Sequence, residues 1–477
     1  MDSSPEGVPR KLIVDSLRGD IHLHEREWRI LDTASFQRLR RLKQLQMGQV
    51  TYPNATHTRF AHCLGTLAVM ARVLRILDDG SGMSLGKEQK ENLRMAALLH
   101  DIGHYPYSHL MEGIDQVELT EKIVGDGGGR SFDDFARPLS LYPGHEEVGK
   151  AIVTSQPDIL DAIGGATRAR GVADLFTRSE AADAQWSKLL HSSLDMDRID
   201  YLQRDSRAAG VPYGEIDVNY LLNSLRVSKK GMVGVAEKAL PAAEQFLLAR
   251  FFMHKAVYFH KTTHGIEEAC RQLLRRIRDA NLFKMPRDGE AILDLVRSPD
   301  LASFTDDYVD RLVQRASKGG DEVMQALARC IENRRPPKLL HEVQVFEDVE
   351  HQTHNRGKVF FLGAKRSLKA LAAKYDIPLG QFLLCYTKPL KLEKRSAYLT
   401  AEQARDSESE EEDELIKVFI GTEPEPQSLV EIQHSLIHIC SGHLWQAFRL
   451  YVVYDGADKE DMVASLRSEV RNWAECR

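Results

Sequence analysis

The chain has 477 residues, 43% of them hydrophobic, so it can bury one large core or two to three smaller ones and is expected to be globular. Its 64 Lys and Arg against 70 Asp and Glu give a formal charge of -6, which excludes nucleic acid or an anionic membrane as a partner demanded by overall charge, although a local basic groove is still open. Six cysteines without a close pair fit reduced thiols better than a disulfide framework or zinc ribbon. With a polar N-terminus and no run of about 18 uninterrupted apolar residues, they point to a reduced, cytoplasmic protein that does not span a membrane.

Residues 1–10 read as a tail. Lys11 to Leu23, KLIVDSLRGDIHL, reads as a hairpin of two short apolar runs around Arg18-Gly19-Asp20. Phe36, Leu39, Leu42 and Leu45 recur at intervals of three behind a capping Thr33, which predicts a helix with Arg38, Arg40, Arg41 and Lys43 on its other faces. A second helix is expected from His62 to Leu77, and a third from Glu88 to Leu99, closed near Gly103. Gly125 to Pro143 is rich in glycine and reads as a loop. Further helices are predicted at 145–153, 182–198, 241–281 and 308–333. Beyond about residue 340, VQVFEDV, GKVFFLGA, FLLCYT, IKVFIG and LYVVYD suit strands. The expected architecture is therefore mainly α: a helical core over 11–335 opened by a short β-hairpin, then a smaller mixed α/β region over 336–477. The like-charge run SESEEEDE, within 405–414, reads as a solvated loop.

The chemistry gathers around histidines. His100 and Asp101 end the apolar helix NLRMAALLH, so an imidazole and a carboxylate emerge together and can share one cation. A His-Asp dipeptide alone is weak, and a lone His on an apolar face, as His62 is, is usually a satisfied core residue. Their co-occurrence with LDMDRIDYLQRD carries more weight. There Asp195, Asp197, Asp200 and Asp205 share a helix with Leu194, Ile199 and Leu202, so at least one carboxylate has to face inward. Two imidazoles and two carboxylates form a nitrogen and oxygen set suited to Fe, Mn, Zn, Ni or Co, with positions left for water and phosphate oxygens. His104, His109 and His145 lie near the dyad in sequence and can place positive charge and a proton at a phosphate ester; His145 is the expected acid. In ARFFMHKAVYFHK, Arg250, His254, Tyr258 and Lys261 follow at spacings of four, four and three, one helical stripe able to hold a polyphosphate.

These segments, in this order, resemble the HD-superfamily dNTP triphosphohydrolases, the branch of the vertebrate SAM-and-HD-domain dNTPase and its bacterial relatives. The resemblance covers about residues 10 to 280 and also rests on DTASFQRLRRLKQL, YPNATHTRFAHCLG and LLHDIGHYPYSH. It implies an HD-type phosphohydrolase core that releases triphosphate from a deoxynucleoside triphosphate. It places His62, His100, Asp101 and Asp197 on the ligands of a divalent transition metal, with Mg expected on the substrate phosphates. Arg59, His104, His109, Arg198, Tyr201, Asp205, Arg250, His254, Tyr258 and Lys261 fall on or near the substrate pocket. His145 falls on the catalytic histidine and Glu112 on its acidic partner, while Gln44 and Leu45 match residues that contact the deoxyribose. Asp32, Gln37 and Arg40 match positions that read a guanine-nucleotide activator, but Val14 stands where an asparagine is expected. Arg198 replaces a lysine, which keeps the charge and changes its geometry. No SAM module is read ahead of the core, and a homotetramer is implied. Two other readings remain: an HD phosphohydrolase for a nucleoside monophosphate, a cyclic nucleotide or a nucleic-acid end, and a regulatory module that binds single-stranded nucleic acid without turnover, using Arg38 to Lys43 and RQLLRRIR over 271–278.

Overall fold

The structure is a computed structural model that describes residues 11–80, 85–115, 119–125, 141–177, 184–229, 231–348, 355–392, 415–454, 456 and 458–475. The acidic run and most of the glycine-rich segment lie outside those residues. The chain opens with the expected hairpin, β1 (Lys11–Asp15) and β2 (Gly19–Leu23), paired from Lys11 with Leu23 to Asp15 with Gly19. Its turn falls on Ser16 to Arg18, and Gly19 takes the positive φ (72°) that closes it.

After α1 (Glu25–Leu31), the predicted helix from Thr33 to Leu45 proves shorter. Thr33 caps it by accepting the Phe36 amide, but only Ala34–Gln37 is α-helical and Arg38–Arg41 is a 3-10 turn. An apolar interval of three is the 3-10 period rather than the α period, and the structure follows it. Arg38 is not on a solvated face. It is buried, and its guanidinium donates to the carbonyls of Ile102, His104 and Phe304.

Two long helices follow, α2 (Arg59–Gly80) and α3 (Lys87–Leu99). By length and composition α2 would suit a membrane span, but 67% of that window is buried inside the protein, as befits a core helix. Beyond α4 (His145–Ser155) and α5 (Ala166–Phe176), the helix expected over 182–198 is two pieces, Ala184–His191 and α6 (Met196–Ala209). Asp195 makes the break by capping α6, its carboxylate accepting the Arg198 amide at 2.7 Å. α7 (Val218–Asn223) precedes two short strands, β3 (Leu225–Val227) and β4 (Val233–Ala236).

The helix expected over 241–281 is also divided, into α8 (Leu240–Met253), a π-turn at His254–Tyr258 and α9 (Lys261–Asp279). That over 308–333 becomes α10 (Asp306–Gly319) and α11 (Glu322–Glu332), parted at Gly320. Of the expected strands, GKVFFLGA is instead inside a helix, α12 (Arg356–Lys374), whose buried Phe360, Phe361, Ala364, Leu368 and Leu371 keep helical spacing. The other runs do form strands: β5 (Lys338–Asp348), β6 (Phe382–Tyr386), β8 (Lys417–Phe419) and β10 (His443–Val452). With β7 (Leu390–Lys391) and β9 (Gln427–Ser428) they form two small sheets, one ordered β5-β10-β6 with β7 also on β10, the other β3-β4-β8-β9. The chain ends in α13 (Lys459–Glu475), packed on β5 and α12.

One apolar core runs through the helical region and takes in Leu383, Cys385, Trp445 and Tyr451 from the C-terminal sheet. A second, smaller one joins α12, α13 and that sheet around Phe361, Phe382 and Phe448. Gly265 of α9 permits the joint, since a Cβ there would meet the Tyr451 ring at 2.9 Å. Among the described residues the cysteines are free, and four of the five are buried.

Candidate metal centre and anion pocket

Three elements bring the four expected ligands together. Thr58 anchors the first turn of α2 by accepting the His62 amide, and the Arg59 amide donates to the Leu42 carbonyl. His62 then projects from α2, His100 and Asp101 from the end of α3, and Asp197 from the first turn of α6. His62 Nε2 lies 2.8 Å from Asp197 Oδ1 and 3.7 Å from Asp101 Oδ2. His100 Nε2 lies 3.4 Å from Asp101 and 3.5 Å from Asp197.

The imidazole orientations fit a shared cation. His100 Nδ1 donates to the Ala97 carbonyl at 2.9 Å, which leaves Nε2 with a lone pair, buried and without a hydrogen-bond partner. His62 Nδ1 donates to Asp200 Oδ2 at 3.0 Å, so its Nε2 likewise turns toward the carboxylates. Such a concentration of donors is costly without a positive centre. Burial opposes charge on His62, but its hydrogen bonds to Asp197 and Asp200 push its pKa up to about 10. Burial also opposes ionisation of Asp101, and Arg59, His100 and His104 hold its carboxyl well below the usual range.

Asp200 has a role that the sequence reading left unassigned. Fully buried, it accepts Arg18 Nε at 2.8 Å and Arg204 Nε at 2.7 Å while orienting His62. Arg204 reaches on to Asp15 at 2.9 Å, so the hairpin is tied to the back of a proposed metal ligand. The signal was present in the spacing, since Asp197 and Asp200 lie three apart on α6 and present neighbouring faces.

Beside the ligands stands a second cluster. His104 Nε2 contacts Asp101 at 3.0 Å, and its ring stacks on His145 with centroids 4.1 Å apart. Glu112 sits between His109 Nδ1, at 2.8 Å, and His145 Nδ1, at 3.1 Å. Burial disfavours the charged form of His145, but the Glu112 carboxylate outweighs it and raises the pKa. Burial together with the Arg59 and His145 charges holds His104 well below the usual value. One imidazole is thus poised to carry a proton and its stacked neighbour to stay neutral. Gly103 makes the approach feasible, because a Cβ there would collide with the His145 carbonyl and the Gly149 backbone.

The remaining expected residues divide. Arg59 donates to Asp101 at 2.7 Å and to Ser108 at 3.1 Å. Arg198 contacts Asp195 and the Ser192 carbonyl. Tyr201 packs on His62 and Tyr258. Asp205 accepts His57 at 2.7 Å and Tyr258 at 2.9 Å, and His254 packs on Tyr258 with centroids 4.8 Å apart. Burial and then the charges of Arg250 and Arg198 push the His254 pKa down to about 3. The expected single helical stripe is corrected: the π-turn intervenes, Lys261 starts α9, and its carbonyl accepts the Tyr451 hydroxyl. Arg250 donates to the carbonyls of Lys391, at 3.4 Å, and Leu392, at 3.3 Å. Gln44 is buried with its Oε1 unpartnered, its backbone amide donating to the His57 carbonyl, and Leu45 is half-buried beside it. Near the hairpin Asp32 pairs with Lys11 at 3.1 Å, and Arg40 donates to Gln37 at 2.8 Å.

Comparison with known proteins agrees with this geometry. The model of the HD domain matches residues 59–205, and that of the HD associated region matches residues 216–316. An uncharacterised protein of Methanocaldococcus jannaschii is 30% identical over 296 residues, 61% of this chain and 54% of its own length. The deoxynucleoside triphosphate triphosphohydrolase SAMHD1 of Bos taurus is 26% identical over 279 residues, 54% of this chain and 46% of its own. The chain therefore spans about half the length of the curated relatives it matches. A solved phosphohydrolase from Bacteroides thetaiotaomicron shares the fold, with a TM-score of 0.65 at 22% identity over 93% of this chain and 99% of that one. With buried His62, His100 and Asp101 and half-buried Asp197 drawn together in it, the chain is an HD-domain protein carrying the HD-associated region, distantly related to the SAMHD1 dNTPases.

Proposed function

We propose that the protein is a metal-dependent phosphohydrolase that cleaves deoxynucleoside triphosphates to deoxynucleoside and triphosphate. The observation that carries the reading is the convergence of His62, His100, Asp101 and Asp197, with the buried His100 Nε2 lone pair free for a cation, next to the His145–Glu112 pair. A divalent metal held there would polarise a phosphoryl centre and acidify water. The protein's own groups do the rest. His145, its acid form favoured by Glu112, donates the proton to the leaving oxygen. Arg59, Arg198 and Arg250 supply positive charge for phosphate oxygens. Gln44, Leu45, Tyr201, Asp205, His254 and Tyr258 line the nucleoside end, with Lys261 as a further cation for the phosphates. Asp32, Gln37 and Arg40 are the proposed nucleotide-activator contacts.

The resemblance to SAMHD1 dNTPases supports a triphosphate of a deoxynucleoside over the other substrates of HD enzymes. Incubation with a panel of deoxynucleoside and nucleoside triphosphates, monophosphates and cyclic nucleotides in the presence of Mn tests it by product identification. Free triphosphate from dNTPs is the expected outcome. Monophosphate or pyrophosphate instead would assign a different bond, and no turnover of any of them would remove the hydrolase reading.

A further inference from the structure

A cleft of about 890 Å³ opens between the β1–β2 hairpin, α2, α3 and α7, away from the residues assigned above, since none of the proposed catalytic, metal or activator residues lines it. Its volume is within the range of small-molecule sites. Its floor is apolar, formed by Leu67, Ala68, Ala71 and Leu74 along one face of α2 and by Leu222 of α7. Six cations line it: Arg18, Arg72, Arg75, Lys87, Lys90 and Arg94.

Four carboxylates share the lining: Asp20 of β2 is exposed, and the other three have partners, that of Asp78 within the cleft itself. Asp78 pairs with Lys90 at 2.6 Å, Glu91 with Arg168 at 2.7 Å, and Asp217 accepts the Tyr220 amide at 2.9 Å. Among the described residues Arg72 has neutral partners, donating to the side-chain oxygens of Asn219 at 2.5 Å and Asn223 at 3.4 Å. Its charged neighbours are both cations; burial, then Arg75, then Arg18 hold its pKa below the usual value. Arg72 and Arg75, one turn apart on α2, therefore present excess positive charge above an apolar floor.

We propose that this cleft binds a small organic phosphate whose other end is apolar, and that its occupancy is felt at the metal cluster through Arg18. Two guanidiniums one turn apart suit the oxygens of a phosphate, where forked donors bind in pairs. Inorganic phosphate would leave the half-buried Leu17, Ala68 and Ala71 of the lining wet, and a neutral apolar ligand would leave the guanidiniums unpaired, so a ligand needs both features. The route inward is short. Arg18, in the lining, donates to Asp200 Oδ1 at 2.8 Å, and Asp200 Oδ2 orients His62 at 3.0 Å. A phosphate that draws Arg18 outward loosens that support.

Fluorescence titration of the metal-stripped full chain with 1-naphthyl phosphate tests the site, with inorganic phosphate and 1-naphthol as probes bearing one feature each. The expected result is binding at least tenfold tighter than either control, weakened at least tenfold by Arg72→Ala with Arg75→Ala and unchanged by Arg250→Ala. Arg75→Glu, on an exposed face and without effect on the Arg72 hydrogen bonds, repeats the test should the double variant lose its fold. Affinity that survives these substitutions within twofold, or that disappears in Arg250→Ala, overturns the site, the latter because the probe then sits in the anion pocket. Saturating probe should also shift the Mn dissociation constant at least threefold, with the reciprocal effect of Mn on the probe. Equal Mn affinity with and without probe overturns the link through Arg18. Neither titration requires turnover, so the outcome is independent of the proposed hydrolase activity.

Discussion

Each imidazole that matters has one nitrogen committed: His62 to Asp200, His100 to the Ala97 carbonyl and His145 to Glu112. Fixing the tautomer in this way makes the second nitrogen a reliable ligand or acid. Asp200→Asn should therefore weaken metal binding by about 10- to 100-fold, measured by metal titration, although Asp200 is not itself among the proposed ligands. His145→Ala should lower kcat by about 10²- to 10⁴-fold with the metal content kept. Glu112→Gln tests the pair through pH. The carboxylate raises the His145 pKa, so the acid form lasts to higher pH, and its loss should move the alkaline limb of the kcat/KM profile to lower pH. An unmoved limb would detach His145 from the proton transfer.

Close approach between elements builds the site. α2 and α6 meet at Gly65, where a Cβ would collide with the Asp200 carboxylate and the Arg204 guanidinium, both packed against the helix. Gly65→Ala should cost about 1–3 kcal/mol in denaturant unfolding through overpacking and should also weaken metal binding, since Asp200 has to shift. The convergence of His62, His100, Asp101 and Asp197, the proposed ligands, was readable in the sequence because they belong to short contiguous motifs with an interpretable helical context. What escaped were features set by tertiary partners. Arg38 looks like one more surface cation, yet three carbonyls from 102, 104 and 304 enclose it. GKVFFLGA has the composition of a strand, but it packs by helical spacing on a sheet that local propensity does not register. The break at His254–Tyr258 is hidden because a π-turn preserves helical φ and ψ while moving the register.

Across the molecule, α9 links the two halves, packing on α11, β5 and β6 and on the segment after Gln44. On it Glu267 is buried against the Met47 amide, and desolvation outweighs Arg271 to push its pKa up to about 7. The folded carboxyl thus keeps its proton to higher pH than the unfolded one, whose pKa is about 4.3. Its contribution to stability is greatest at low pH, is lost progressively between about pH 4 and 7, and then levels off. Glu267→Gln removes that loss, so urea unfolding should show the variant gaining on the wild type over this window by a total of about 3 kcal/mol. A difference that is constant with pH would show that Glu267 is ionised in the fold.

The grip on Arg250 is the feature with the widest reach. Its guanidinium is held by main-chain oxygens at Lys391 and Leu392, well past residue 316, where the match to the HD-associated region ends. Main-chain oxygens are indifferent to side-chain identity, so sequence drift in that stretch is tolerated as long as its path is kept. Insertions or deletions there change the path itself. Homologues with near-identical ligand motifs can thereby diverge in how strongly they hold an anionic tail, and exchanging residues 387–392 between two of them should transfer that difference while leaving the metal untouched.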